Sequence, residues 1–242
     1  MSTSTLRRHD GSSKPLFVFE TVCVLGAYGL VAWHGFRISQ HISLWDGACF
    51  VAILLGWIAA DFVSGFVHWL ADTWGSESMP WIGPRFLKPF RVHHVTPTSF
   101  VECSFMDTNG DTALIGLPFL LSVFWVPIAT PMGFWFTVFM IAFCVCALPT
   151  NQIHQWAHMP NPPRAVRWLQ RAGLILSVDA HRRHHAGEHD GHYCITTGFC
   201  NRILERIGFF RWLEQGVTRM TGIQPRIEEK RGHSDGAGST IS

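Results

Sequence analysis

The sequence predicts an all-α membrane protein. Four transmembrane helices would carry interfacial amphipathic helices that form a histidine-rich cap on the cytoplasmic side. Three observations predict this. The 242 residues are 48% hydrophobic and only 15% charged, too apolar for a typical soluble domain. Four apolar stretches, roughly 16–36, 46–70, 112–130 and 132–150, each approach the ~20 residues a helix needs to cross a ~30 Å hydrocarbon core. With both termini and the 71–111 segment inside, Arg37 is the one residue of the 19 Lys and Arg left outside, a strongly one-sided positive-inside pattern.

The first stretch follows Arg7, Arg8 and Lys14, an arrangement shared with signal peptides. The run is long, has no small-x-small cleavage site and is followed by further spans, so it reads as a helix. The second stretch begins near Asp46 and places Asp61, Gly65, His68 and Asp72 at i, i+4, i+7 and i+11, on one helix face. A carboxylate inside a span is costly and faces protein. Gly65 would admit a neighbouring helix closely. Asp61 or Asp72 could hold a histidine by hydrogen bonding, and Asp61 could equally bond another helix.

Segment 72–111 carries Gly75, Pro80, Gly83, Pro84, Pro89 and Pro97, which predicts a loop with short turns. Asp107-x-Asn109-Gly110-Asp111 resembles the start of a calcium loop, but Pro118 stands where the bidentate Glu is needed, so calcium is rejected. The third and fourth stretches turn near 130–133. Amphipathic helices are expected over about 164–178 and 203–220, lying in the headgroup zone. The seven cysteines form no CxxC and read as small apolar core residues in a reducing compartment. Residues 1–14 and 225–242 are expected to be mobile ends flanking a single membrane domain, 15–224. No nucleic-acid motif is present.

The chemistry lies in the histidines. Nine of the 14 cluster at helix ends: His68, His93-His94, His154 with His158, and His181-x-x-His184-His185 with His189. The i, i+4 pair His154/His158 can reach one point beside a helix. His181, His184 and His185 share a helix face, and His189 follows one turn later. His192, beyond Gly191, reads as a loop residue; His9, His34, His41 and His233 are isolated. A tetrahedral zinc uses four ligands at most, so eight or nine imidazoles indicate two metals with open positions. A haem carrier would need two of them, and a transporter would need polar groups at the bilayer midplane rather than at helix ends. Two irons with O2 as co-substrate and a lipid as substrate suit this count and location. A hydroxylase with the same ligands would differ only in product.

Several runs carry a resemblance: Asp61-x-x-x-Gly65-x-x-His68-Trp69, Ala71-Asp72-Thr73-Trp74-Gly75-Ser76, Phe90-Arg91-x-His93-His94-x-x-Pro97-Thr98, Thr108-Asn109-Gly110-Asp111, Asn151-Gln152-Ile153-His154-x-Trp156-x-His158, His181-x-x-His184-His185 and Cys194-Ile195-Thr196-Thr197-Gly198. Over roughly residues 58–224 the chain resembles the Kua/CarF lipid-desaturase family. The resemblance implies a di-iron enzyme that desaturates the 1-O-alkyl chain of an ether phospholipid of the plasmanylethanolamine kind, giving a plasmalogen vinyl ether. It implies His68, His93, His94, His154, His158, His181, His184 and His185 as ligands. His189, which matches the plasmanyl-type members, is a ninth candidate metal ligand, and Asp72, Asp61 and Asn151 are candidates to support ligands. The same family includes a plant enzyme acting on an ester-linked acyl chain. Val92 and Cys103-Ser104 depart from the animal pattern, in which an acidic residue and an Arg-His-Asp run stand. Expected partners are the bilayer and a cytochrome b5-like or ferredoxin-like electron donor. The expected location is a bacterial inner membrane or the endoplasmic reticulum, with both termini cytoplasmic.

Overall fold

A computed structural model describes residues 14–99, 101–186 and 189–226. Of the expected mobile ends 1–14 and 225–242, residues 1–13 and 227–242, with Arg7, Arg8, His9 and His233, lie outside the described residues, and Lys14 begins α1. The described residues contain helices and no strands. Ten α-helices follow in order: α1 Lys14–Gln40, α2 Gly47–Thr73, α3 Lys88–Val95, α4 Phe105–Ser122, α5 Pro131–Ala147, α6 Thr150–His158, α7 Arg164–Arg171, α8 Val178–His185, α9 Asn201–Arg206 and α10 Phe209–Thr221.

Side chains fix the helix starts. Asp46 accepts from the Ala48 amide ahead of α2, Ser104 from Asp107 ahead of α4, Thr130 from Gly133 ahead of α5 and Ser177 from Ala180 ahead of α8. Among the described residues three helices are long and apolar enough to cross a membrane: Lys14–Gln40, Gly47–Thr73 and Pro131–His158, the last being α5 continued by α6. The stretch expected to span at 112–130 is divided. The first turns of α4 are polar, the helix ends at Ser122 and a 3-10 turn follows over Val123–Trp125.

The long helices bury small residues and turn large ones outward, as lipid-facing helices do. Val18, Phe19, Val22 and Leu25 of α1 and Phe50, Val51, Leu54 and Leu55 of α2 are exposed. Between α1 and α4 sits a core of Cys23, Val24, Ala27, Ala113 and Leu120. Helices α2 and α5 cross closely at Gly56, where a Cβ would meet Phe139 O at 2.7 Å and Phe143 N at 2.8 Å.

The structure corrects three local expectations. Segment 72–111 is largely helical: a π-helical turn at Gly83–Leu87 runs into α3, and α4 begins at Phe105. Pro84 and Pro89 lie in first turns, where a missing N–H breaks no bond, so they start helices rather than end them. The amphipathic segment 164–178 shortens to α7, ended by Gly173 at φ +70°, whose amide and that of Leu174 bond back to Gln170 and Leu169 carbonyls. The segment 203–220 divides into α9 and α10 at Gly208, φ +64°. Gly65 does permit close approach, but of a loop: a Cβ there would meet Cys194 N at 3.0 Å and Cα at 3.1 Å.

Candidate metal centre

Four helices deliver histidines to one buried region, α2 (His68), α3 (His93, His94), α6 (His154, His158) and α8 (His181, His184, His185), with α4 packed beside α6. Their ring nitrogens form two groups of mutually close atoms. One comprises His93, His154, His158, His181 and His185, the other His68, His93, His94 and His184. His93 belongs to both. The eight distinct histidines are those that the family resemblance implied.

The helical spacings explain the division. His154 and His158, at i, i+4, bring their Nε2 atoms to 3.1 Å, and His181 and His185 do the same at 3.1 Å. His184, one residue earlier than His185, turns to the second group, with its Nε2 3.0 Å from His94 Nε2. The triplet on α8 therefore straddles both groups rather than serving one. Likewise the adjacent pair on α3 stands between them.

The donor chemistry tests whether a metal belongs here. The Nε2 atoms of His154, His158 and His181 form a triangle with sides of 2.9, 3.1 and 2.8 Å. A neutral imidazole nitrogen is either a donor or an acceptor. Around a triangle the two cannot alternate, so one side must oppose like with like. A cation that takes the lone pair of each nitrogen removes that conflict. With metal–nitrogen bonds of the zinc–imidazole length, about 2.0–2.1 Å, nitrogens at right angles about a metal stand about 3.0 Å apart, the spacing seen here.

Protonation supports the same conclusion. Burial, reinforced by neighbouring imidazoles, holds His93, His181 and His184 well below the ordinary histidine range, and His185 at about 3. These rings are neutral and present lone pairs, as ligation requires. Backbone carbonyls set the tautomer of the second group. His68 Nδ1 donates to Tyr193 O (3.0 Å) and His184 Nδ1 to Gly191 O (2.7 Å), leaving each Nε2 as the ligand atom.

Asp72 is buried within the second group. Its Oδ2 lies 3.1 Å from His68 Nε2, 3.6 Å from His94 Nε2 and 3.7 Å from His184 Nε2. Neither oxygen has a hydrogen bond of acceptable geometry, so even the 3.1 Å approach is a misaligned contact. A buried carboxylate among imidazole lone pairs calls for a cation. The residues present therefore fit a metal centre.

The other candidates occupy distinct positions. Asp61 does not touch a histidine. Its Oδ1 accepts from the amides of Thr197 (2.7 Å) and Gly198 (2.9 Å), and its Oδ2 from Cys200 (2.8 Å). Asn151 donates to Thr108 O and Thr112 Oγ1, both at 3.1 Å, and lines a small pocket with His93 and His154. His189 stacks on His94, centroids 4.3 Å apart, and stands outside both groups. His192 is held by its backbone, its amide donating to Glu205 Oε1 at 2.8 Å. His34, isolated in the sequence, is buried and bonds Leu120 O at 2.9 Å. Asp107, in the first turn of α4, accepts from the Ser104 hydroxyl at 2.7 Å, and Asp111 pairs with Arg85 at 2.6 Å.

Spacing alone misses the loop 189–200, which carries the carbonyls that hold His68 and His184. Ser64 Oγ accepts from Ile195 and Thr196, and Asn201 brackets Cys194 from both sides at 2.8 and 3.0 Å. Its sequence signal was the Cys194–Gly198 run, which spacing rules do not interpret.

Comparison with known proteins points the same way. The chain is 43% identical over 178 residues to a plasmanylethanolamine desaturase of Myxococcus xanthus, covering 74% of this chain and 63% of that protein. It is 38% identical over 165 residues to plasmanylethanolamine desaturase 1 of Mus musculus, covering 66% and 61%. A chloroplastic fatty acid desaturase 4 of Arabidopsis thaliana is 32% identical over 157 residues, covering 64% and 47%. The chain thus spans less than two thirds of the length of each of these relatives. No solved structure matches. Residues 57–228, which include all eight histidines of the two groups, match the lipid desaturase domain model, and the chain belongs to that family.

Proposed function

We propose that the chain is an O2-dependent desaturase that introduces the vinyl-ether double bond into the 1-O-alkyl chain of an ether phospholipid, turning a plasmanylethanolamine into a plasmalogen at a pair of irons. The observation that carries this reading is the two histidine groups joined through His93, since eight imidazoles exceed what one metal takes. Two relatives named for plasmanylethanolamine desaturation support the substrate.

On this reading His154, His158, His181 and His185 hold one iron, His68, His94 and His184 hold the other with Asp72 as its carboxylate ligand, and His93 lies between. When bound, the irons supply activation of O2 strong enough to take hydrogen from an unactivated C–H bond. The two hydrogens lost by the chain provide two of the four electrons that turn O2 into two waters. An external donor, cytochrome b5-like or ferredoxin-like, provides the others, and the exposed Arg202, Arg206, Arg211 and Arg219 of α9 and α10 are the basic residues proposed to receive it. Positioning falls to the protein. The Tyr193 and Gly191 carbonyls fix the tautomers of His68 and His184, Asp61 holds the loop that carries those carbonyls, and Asn151 ties α6 to α4. His189 covers one side of His94.

The proposed setting is a bacterial inner membrane or the endoplasmic reticulum, with both termini and the histidine groups cytoplasmic. Helix α4 with its 3-10 turn serves as a fourth span, and α7, α9 and α10 form the interfacial cap of one domain, 15–224. Lipid mass spectrometry after expression in a plasmalogen-free host supplied with alkyl-ether lipid tests the reaction. An ether lipid two hydrogens lighter with an acid-labile chain is the expected product. The plant relative named for fatty acid desaturation favours a second reading, and an acid-stable double bond in an ester-linked chain would establish it. A product one oxygen heavier would make the chain a hydroxylase.

A further inference from the structure

An apolar cleft of about 350 Å³ opens beside the metal centre. Its walls are α2 (Val63, Val67) and α4 (Ile115, Phe119), and Phe143 and Ala147 of α5 line its base. Four of its lining residues, Phe86, Phe90, Asp111 and Asn151, also line the small pocket that contains His93 and His154. The cleft is therefore continuous with the histidines at one end. That end is polar, with Arg85 and Asp107 beside Asp111 and Asn151. The other end, toward Ala60, Phe119 and Phe143, has no charged side chain and is mostly apolar.

Its depth follows from helix geometry. Asp111 and Phe119 on α4, and Asn151 and Phe143 on the helix Pro131–His158, are each eight residues apart, about 12 Å at 1.5 Å per residue. Val67 and Ala60 on α2 give about 10 Å. Three elements thus agree on a cleft that reaches most of the way across one hydrocarbon leaflet, about 15 Å. Ile115 and Phe119 are half-exposed at its edge, 55% and 50%, so the cleft opens sideways toward lipid.

We infer that this cleft holds the hydrocarbon chain of the phospholipid substrate with its methyl end inward, and that Gly116 and Ala147 keep it wide enough to do so. The inference rests on the lipid-desaturase reading above and names the site that decides which carbons are presented. Methylenes avoid the charged end, where Arg85 pairs with Glu20 at 2.9 Å and with Asp111 at 2.6 Å. A chain hung tail-first leaves its first carbons at the polar end beside His93 and His154. Because the chain comes from lipid rather than water, the cleft gains little from apolar burial, and its contribution is position. At Gly116 a Cβ would already meet Leu148 Cδ2 at 2.9 Å, and Leu148 lines the cleft too, so a larger side chain there fills it. Gly116 lies five residues below Asp111, about 8 Å into the cleft.

The test uses the full-length, metal-loaded protein with G116F on the α4 wall and A147F on α5. The ratio of hexadecyl to butyl ether-lipid turnover is expected to fall at least tenfold in both, because a butyl chain ends above the obstruction. In parallel, an ether phospholipid carrying a mid-chain diazirine is cross-linked to the wild type. Labels are expected on the peptides that contain 112–119 and 143–148, and to be lost in any variant that keeps its metal. Labels elsewhere, or an unchanged turnover ratio in both folded variants, would overturn the cleft. Competitive labelling of these peptides by a wild-type protein that desaturates no lipid would instead remove the proposed reaction and leave the cleft standing.

Discussion

The two histidine groups are built in different ways. The first rests on two helical i, i+4 pairs, His154/His158 and His181/His185, whose helix backbones alone bring Nε2 atoms to 3.1 Å. The second gathers one histidine each from α2 and α8 and the adjacent pair of α3, and adds Asp72. Its His68 and His184 depend on carbonyls of the 189–200 loop, and that loop depends on Asp61, 136 residues away in sequence from Thr197. A pair set by helix pitch tolerates movement of distant chain. A ligand set assembled through a loop inherits every weakness of that loop. The difference predicts that the second group is the more easily disabled from outside.

The largest effects should come from the ligands themselves and should not distinguish the groups. His154→Ala in the first and His184→Ala in the second should each lower turnover by more than ~100-fold, since partners that merely orient ligands are already worth 10–100-fold. Both proteins should still insert in the membrane. Substantial activity with full metal content in either variant would remove that residue from the ligand set. Asp72→Asn separates the groups. It keeps the shape but removes the charge that would balance a metal in the second group, so with the two proposed metals analysis should show loss of about half the metal while the first group stays filled. Full occupancy in Asp72→Asn would return Asp72 to a supporting role.

The same contrast explains what the sequence could disclose. The long helices α1, α2 and Pro131–His158 were legible because apolar length is a local property. The first histidine group was legible for a similar reason, as spacing on one helix is geometry. Helix α3 was hidden because Pro84 and Pro89 mark breaks unless they occupy a first turn, and which turn is first depends on what precedes it. The end of α7 at Gly173 and the break at Gly208 each hang on one glycine whose positive φ cannot be read from its neighbours. Asp61 was recognised as a residue facing protein, but its actual partners, three amides of the 197–200 turn, are a tertiary fact. Asp72 was expected to support a histidine, and which rings its Oδ2 approaches, those of His68, His94 and His184, is likewise a tertiary fact.

Asp61→Ala sharpens the comparison from a distance. It leaves three amides without their acceptor, those of Thr197 and Cys200 buried, and each orphaned buried group costs about 1–3 kcal/mol unless the loop moves. The loop is expected to move, carrying the carbonyls of Tyr193 and Gly191 away from His68 and His184. Metal affinity at the second group should drop by roughly 10–100-fold, as for other residues that orient ligands. The first group should keep its metal, because His154, His158, His181 and His185 take nothing from Asp61. Equal losses from both groups would show that the cap responds as one unit. Asp61→Asn, which retains an acceptor oxygen, should fall between Asp61→Ala and the wild type.

His192→Ala should have the smallest effect and is the sharpest control. This residue sits one position past Gly191, whose carbonyl holds His184, and one before Tyr193, whose carbonyl holds His68. It is a histidine among histidines in sequence, yet it belongs to neither group. Its tie to the protein is through the backbone amide, which donates to Glu205 Oε1 and survives the substitution. Its φ of +57° is equally uncomfortable for alanine, so the local strain does not change. A change within ~0.5 kcal/mol is expected, about twofold in turnover, as for a side chain with no buried role. Glu205→Ala, which removes the acceptor for that amide, should exceed it, because it loosens the loop rather than trimming a side chain. A loss in His192→Ala as deep as in His184→Ala would mean that the ring itself, and not the chain that carries it, serves the metals.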